Sequence, residues 1–420
     1  MVCGIHGNEP ASVAAAQRVF DSLHRQQPEL SGRMVAFAGN LKALERNQRF
    51  INRDLNRMWS PEDLARLRSQ DAAQDSVEES EQRALLACIE RELQNNSDRV
   101  IFLDLHSTSA SGPPFSLISD TLQNRQIALA FSLPVILGLE EAIDGSLLNY
   151  FGEQGFVSVG VEGGQHLDAH TADHHESIIW LALVAGGLLG EAQAPDLERH
   201  RQRLAAAAAG LPSAVEIVHR HGLAVENDFR MEDGFVNFAA VTKNQIMAND
   251  RGEEVRSPVA GLLVLPRYQA IGDDGFFLGR KVSPFWLKLS VLLRKLRLDL
   301  LIPLLPGVRR HPTLVNALRV DKRVARWLVV QIFHLFGFRR CRPEGDTSCS
   351  VDATRVRGVS QVATPLLGRV FVSPLWIDRP SSRGSQLTFW LLGVNHRRRP
   401  AGFRCYQQVL TAKQKFSNAS

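Results

Sequence analysis

Along residues 1–195, short continuous apolar runs alternate with apolar positions spaced three and four apart, as expected for an open α/β sheet covered by helices. Val13, Ala16, Phe20 and Leu23 share one helical face, and Pro10 can start that helix because a first-turn residue needs no amide hydrogen. Residues 34–38 read as a strand. A polar stretch at 69–80 leads into a helix with Leu85, Ile89 and Leu93 on one face. Residues 100–105 read as a strand whose continuous Val100-Ile101-Phe102-Leu103 run suits cover on both sides, and 156–161 reads as another such strand. Thr171 or Asp173 is placed to cap the apolar helix that follows, which runs to about residue 189. Only Met1, Val2 and Cys3 precede the first loop, so either the sheet accommodates a stub of a strand or the chain's true start lies upstream.

The pattern then changes. Residues 196–285 predict a connecting helix, with an alanine-rich join at 192–211, followed by a small β domain of short alternating segments broken by Gly and Asp. Residues 286–342 are helical in pattern, with Trp286, Leu289, Leu293, Leu296 and Leu300 interleaved with Lys288, Arg294, Lys295 and Arg297. Residues 343–420 are rich in Ser, Arg and Gly and carry no clear period, so a disordered tail is expected there.

A length of 420 residues with 44% hydrophobic composition supports two or more domains with a sizeable core. No apolar run is long enough to span a bilayer; residues 327–338 are interrupted by Gln331, His334 and Gly337. The N-terminus lacks the pattern of a signal peptide, and five scattered cysteines do not form a disulfide framework, so a cytoplasmic location is expected. The net charge of +5 conceals an asymmetry, because residues 281–345 carry 14 Lys/Arg against 3 Asp/Glu. A basic amphipathic helix with Trp is compatible with peripheral contact to an anionic membrane through 286–342. No nucleic-acid motif accompanies the charge, and no nucleic-acid partner is expected.

The chemistry concentrates near the N-terminus. His6 and Glu9 stand three residues apart on a loop between a strand and a helix, a spacing that lets both reach one ion. Open α/β sheets build sites at the carboxyl ends of strands, which points to His106, after the 100–105 run, as a third ligand. Two His and one Glu with an open fourth position is a known catalytic zinc arrangement, although the same ligands accept cobalt or nickel. Glu162, after the 156–161 run, is suited to act as general base and then acid. Arg49, Arg53 and Arg57 recur every four residues around Asp54 and Asn56; guanidinium groups match a substrate carboxylate bidentately, and Asn56 can bond an amide or a second carboxylate. Arg53 is the expected bystander, Asp54 is expected to orient an arginine, and Asp104 to support the metal ligands from behind. His166, His170, His174 and His175 raise the alternative of a second metal site, against the plainer reading of solvated or capping histidines.

Gly4-Ile5-His6-Gly7-Asn8-Glu9, Arg49 followed by Asp54-Leu55-Asn56-Arg57, Asp104-Leu105-His106 and Val161-Glu162 together resemble the succinylglutamate desuccinylase/aspartoacylase family, over about residues 1–285. The resemblance implies a zinc-carboxypeptidase-like mixed sheet flanked by helices, with a smaller C-terminal β domain that narrows access to the metal and, in this chain, a basic helical extension. It implies one zinc per chain on His6, Glu9 and His106, catalysis by Glu162 with Arg49, and substrate contacts from Arg49, Asn56 and Arg57. The expected activity is hydrolysis of the amide of a small acidic N-acyl amino acid. Two alternatives stay open: a carboxypeptidase-like enzyme on short peptides, and a non-catalytic metal-binding or membrane-associated scaffold.

Overall fold

The computed structural model describes residues 1–94, 99–140, 142–224, 227–311, 317–321, 329–344, 348–353 and 407–411. An 11-stranded mixed sheet forms its centre. Val2–Cys3 is short, yet it pairs in parallel with Arg33–Ala38 on one side and Ile101–Thr108 on the other, so two residues suffice to join the sheet. Ile101–Thr108 pairs in parallel with Val157–Gln165. Both central strands run past the apolar stretches that predicted them, so His106 and Glu162 lie within strands rather than just beyond them.

Helix Ala11–Gln26 follows Pro10 directly and buries Ala15, Val19, Phe20 and Leu23. It packs with Ala169–Ala185 over one face of the sheet, in a core that includes Leu103, Leu105, Val159, Val161 and Trp180. The opposite face carries Val77–Gln94 and Leu147–Glu153, with Trp59, Leu85, Ile89 and Phe102 buried between. The cap of Ala169–Ala185 is Asp168, whose side chain accepts from the His170 amide, and not Thr171 or Asp173. Thr171 is instead buried and donates to the Gln165 carbonyl.

Two short strands escaped the sequence pattern. Phe115–Ile118 pairs antiparallel with Val157–Gln165, and Val135–Leu137 continues the sheet in parallel. The expected connecting helix is Leu197–Ala207. The β segment after it is not set apart: Ala214–Gly222 pairs in parallel with Val135–Leu137, and Asp274–Lys281 and Gly261–Val264 add to the same sheet. Only Arg230–Met231, Ile246–Asp250 and Glu253–Arg256 form a separate three-stranded sheet there.

The helical expectation for 286–342 holds through Pro284–Lys295, the 3-10 turns of Leu298–Leu304 and Val329–Phe336. It fails at Val308–Arg310, Ala317–Asp321 and Phe338–Glu344, which join Ser348–Ala353 in a four-stranded antiparallel sheet. Cross-strand pairing and burial of Val308, Leu318 and Val320 against Phe333 override the weak helical periodicity there. Within the expected tail, Gln407–Thr411 pairs with Arg33–Ala38 at the edge of the main sheet; most of the remaining tail lies outside the described residues.

Candidate metal centre

The loop between Val2–Cys3 and Ala11–Gln26 is held from both ends. Gly4 adopts a φ of +59°, a left-handed conformation suited to glycine, and its amide donates to Ser12 Oγ at 3.1 Å. Gly7 donates its amide to the Arg49 carbonyl at 3.1 Å, and a Cβ there would fall 2.0 Å from the Ala43 carbonyl carbon, so only glycine permits this approach. His6 and Glu9 are thereby fixed on either side of a tight turn, both buried.

His6 Nδ1 lies 2.8 Å from Glu9 Oε1, and His106 Nδ1 lies 3.1 Å from Glu9 Oε2. One ligand atom from each of the three residues falls within 4.8 Å of the others. The remaining ring nitrogens face carboxylates too: His6 Nε2 is 3.1 Å from Asp54 Oδ1, and His106 Nε2 is 3.0 Å from Asp104 Oδ2. A neutral imidazole has one N–H and cannot donate to two carboxylates. Each histidine, flanked on both sides, therefore suits either a protonated ring or a cation between the Nδ1 atoms and Glu9. Outer carboxylates that fix the tautomer of ligating histidines are the usual support of a zinc site, and the donor set fits zinc on these grounds. Among the described residues no other group of three potential ligands converges in this way.

The electrostatics follow from the same contacts. Burial alone would raise the Glu9 carboxyl, but His6 and His106 outweigh it and hold Glu9 well below the usual carboxylate range. Burial works against a charged His106, yet Asp104 and Glu9 raise it well above an ordinary histidine. Asp54 is likewise held low against its burial by Arg49 and His6. Glu162 differs. It lines the same cleft, its Oε2 is buried without a hydrogen-bond partner, and burial pushes its pKa up to about 8.

The three arginines separate clearly. Arg49 donates from Nε and Nη2 to Asp54 Oδ2 at 3.2 and 2.9 Å, with Nη1 at 3.8 Å from Glu9. Arg57 also lines the cleft, with Asp273 and Asp274 at 3.8 and 3.6 Å. Arg53 turns away to pair with Asp63 on the exterior. Asn56 receives the Leu147 amide on Oδ1 at 2.9 Å and places Nδ2 3.4 Å from His106 Nε2.

Several contributors escaped sequence reading because their contacts are distant along the chain. Buried Glu78 accepts from the amides of Ile51, Asn52 and Arg53 at 2.7, 2.9 and 3.3 Å, shaping the loop that carries Arg49 and Asp54. Asp54 touches His6 as well as Arg49. His166 lines the cleft and places Nδ1 2.8 Å from Ser107 Oγ, while Ser107 donates its amide to Glu9. His174 faces the Gly163 carbonyl at 2.8 Å, and His175 is buried beneath Gly163. These histidines do not assemble a second metal site. Residues 265–274 of the β segment border the cleft: Gln269 accepts from Asn8 at 3.4 Å, the Tyr268 amide donates to Ser109 Oγ at 3.1 Å, and Arg267 ties down the Gly272 carbonyl.

Residues 1–179 match the profile described as the succinylglutamate desuccinylase/aspartoacylase catalytic domain. A succinylglutamate desuccinylase of Erwinia tasmaniensis is 39% identical over 56 residues, covering 13% of this chain and 17% of the relative. One from Ectopseudomonas mendocina is 33% identical over 57 residues, covering 14% and 17%. These alignments thus span about a sixth of each curated relative. Among solved structures, the succinylglutamate desuccinylase of Vibrio cholerae superposes with a TM-score of 0.49 at 19% identity, covering 67% of this chain and 81% of that one. Murine aminoacylase 3 gives 0.46 at 16% identity, covering 67% and 94%. The segment that matches the profile, residues 1–179, holds every proposed metal ligand, Glu162 and the three arginines, so the similarity to the succinylglutamate desuccinylase/aspartoacylase catalytic domain covers the whole candidate site.

Proposed function

We propose that this protein is a zinc-dependent hydrolase of the amide bond in a small, carboxylate-bearing N-acyl amino acid. The observation that carries this reading is Glu162: a buried carboxyl with an unpartnered oxygen, in the same cleft as three converging metal-ligand side chains. Zinc held by His6, Glu9 and His106 would supply Lewis acidity towards a carbonyl and make hydroxide available near neutral pH.

Glu162 takes the proton of the attacking water and returns it to the leaving amine, a role suited to a carboxyl whose pKa is raised towards neutrality. Arg49 is oriented by Asp54, which leaves Nη1 beside Glu9 to stabilise charge on the carbonyl oxygen as the amide is attacked. Arg57 and Asn56 are the contacts for the substrate carboxylate, which shares Arg57 with Asp273 and Asp274. Leu139, Ile143, Leu148 and Phe277 also line the cleft and give it apolar surface suited to the carbon chain of an acyl group.

The test is amine release from a panel of N-acyl amino acids, before chelation, after chelation and after zinc is restored. The reading requires turnover that chelation abolishes and zinc restores, with N-acylated acidic amino acids preferred. Turnover indifferent to chelation overturns it.

A further inference from the structure

Among the described residues, helix Pro284–Lys295 is fastened to the body by one face. Leu287 packs against the main core, and buried Ser290 donates to the Leu335 carbonyl. Arg294 donates to the Asp120 carbonyl and side chain at 2.6 and 3.1 Å, with the Asp120 carboxyl fully buried. These residues recur at three- and four-residue spacings, so the opposite face points outward as a fixed surface.

That outward face is apolar. Phe285, Leu292 and Leu296 stand in one line at 63%, 54% and 59% exposure, with Trp286 beside them. The 3-10 turns that follow extend it, ending in Leu304 at 78% exposure. Isolated exposed leucines are common, but a contiguous group of large apolar side chains within twenty residues marks an interaction site. Lys288, Lys295 and Arg297 are exposed within it, and no acidic residue occurs between Val282 and Leu298.

We propose that this face docks on an anionic lipid surface. Its aromatic and leucine side chains would enter the boundary between headgroups and acyl chains, while the three cations meet lipid phosphates. Charge selects this occupant over two others. A second copy placed face to face would set like charges opposite one another. The chain's own C-terminal segment is a poor cover for the same reason, since residues 354–420 carry 11 Lys/Arg against a single Asp. Across residues 281–420 there are 25 Lys/Arg and 6 Asp/Glu, which adds long-range attraction to an anionic leaflet.

The experiment is co-sedimentation of the full chain with vesicles of phosphatidylcholine alone and of phosphatidylcholine mixed with phosphatidylglycerol, at low and high salt. The proposal requires binding to the mixed vesicles that weakens with salt, and little binding to phosphatidylcholine alone. Phe285→Ser with Trp286→Ser should abolish it. Lys288→Gln, Lys295→Gln and Arg297→Gln should each weaken it about fivefold. All five side chains are exposed, so the far-ultraviolet circular dichroism and thermal midpoint should not change. Equal binding to both vesicle types, or binding unaffected by these substitutions, overturns the proposal. So does a failure to bind vesicles combined with self-association that the serine substitutions abolish, which would make this face a contact between copies.

Discussion

His106 and Glu162 are register partners on adjacent parallel strands, Ile101–Thr108 and Val157–Gln165. Paired residues in a sheet project to the same side, so the backbone ladder itself puts the proposed general base next to a proposed metal ligand. The same ladder explains the glycine after Glu162. A Cβ at Gly163 would fall 2.5 Å from His175 Nε2, so the strand can lie this close to the helix behind it only without a side chain.

Removing the outer carboxylates should weaken metal binding without touching the ligands. Asp104→Asn is expected to lower zinc affinity about 10- to 100-fold, measured by competition with a fluorescent chelator. Affinity equal to wild type would show that the contact with His106 Nε2 does not support the site.

Glu78 supports the loop of Arg49 and Asp54 by accepting three backbone amides. Glu78→Ala leaves those part-buried donors without their carboxylate acceptor, at a cost of about 1.5–3 kcal/mol. Glu78→Gln keeps one acceptor oxygen and should lose less. Denaturant unfolding of the two variants checks the order, and a smaller loss for alanine would contradict it.

Two buried groups give opposite pH dependences. Burial lowers His175 to about 3, so below an ordinary histidine value near 6.5 the unfolded chain binds a proton that the folded chain does not. Its stabilising effect is therefore present above that value and lost as pH falls, at about 1.4 kcal/mol per pH unit. In metal-free protein Glu162 acts in reverse. With its pKa raised to about 8, the folded state holds the extra proton, and stability falls as pH rises from about 4.5. His175→Leu should thus gain relative to wild type on acidification between pH 6 and 4, read as the difference between paired unfolding curves. A difference that does not change with pH would contradict a neutral, buried His175.

The convergence of the candidate site's residues was legible in part because they sit in short local motifs. His6 and Glu9 are three residues apart, and His106 and Glu162 each follow an apolar strand run. What was not legible depends on contacts across the chain. Asp54 reaches His6 over 48 residues and Glu78 reaches Ile51 over 27, and nothing local in the sequence announces either. The strands Phe115–Ile118 and Val135–Leu137 have four and three residues, too few to display a period. Missing Val135–Leu137 is also why the β segment read as a separate unit, since that strand joins Ala214–Gly222 to the central sheet.

The most direct test measures zinc content and amide hydrolysis on the same preparation of Glu162→Gln. The substitution preserves shape and removes only the ionisable oxygen, leaving His6, Glu9 and His106 intact. The account requires zinc at wild-type stoichiometry with kcat reduced about 10²- to 10⁴-fold. Near-normal kcat would contradict the role of Glu162, and loss of zinc would make it a ligand rather than the base.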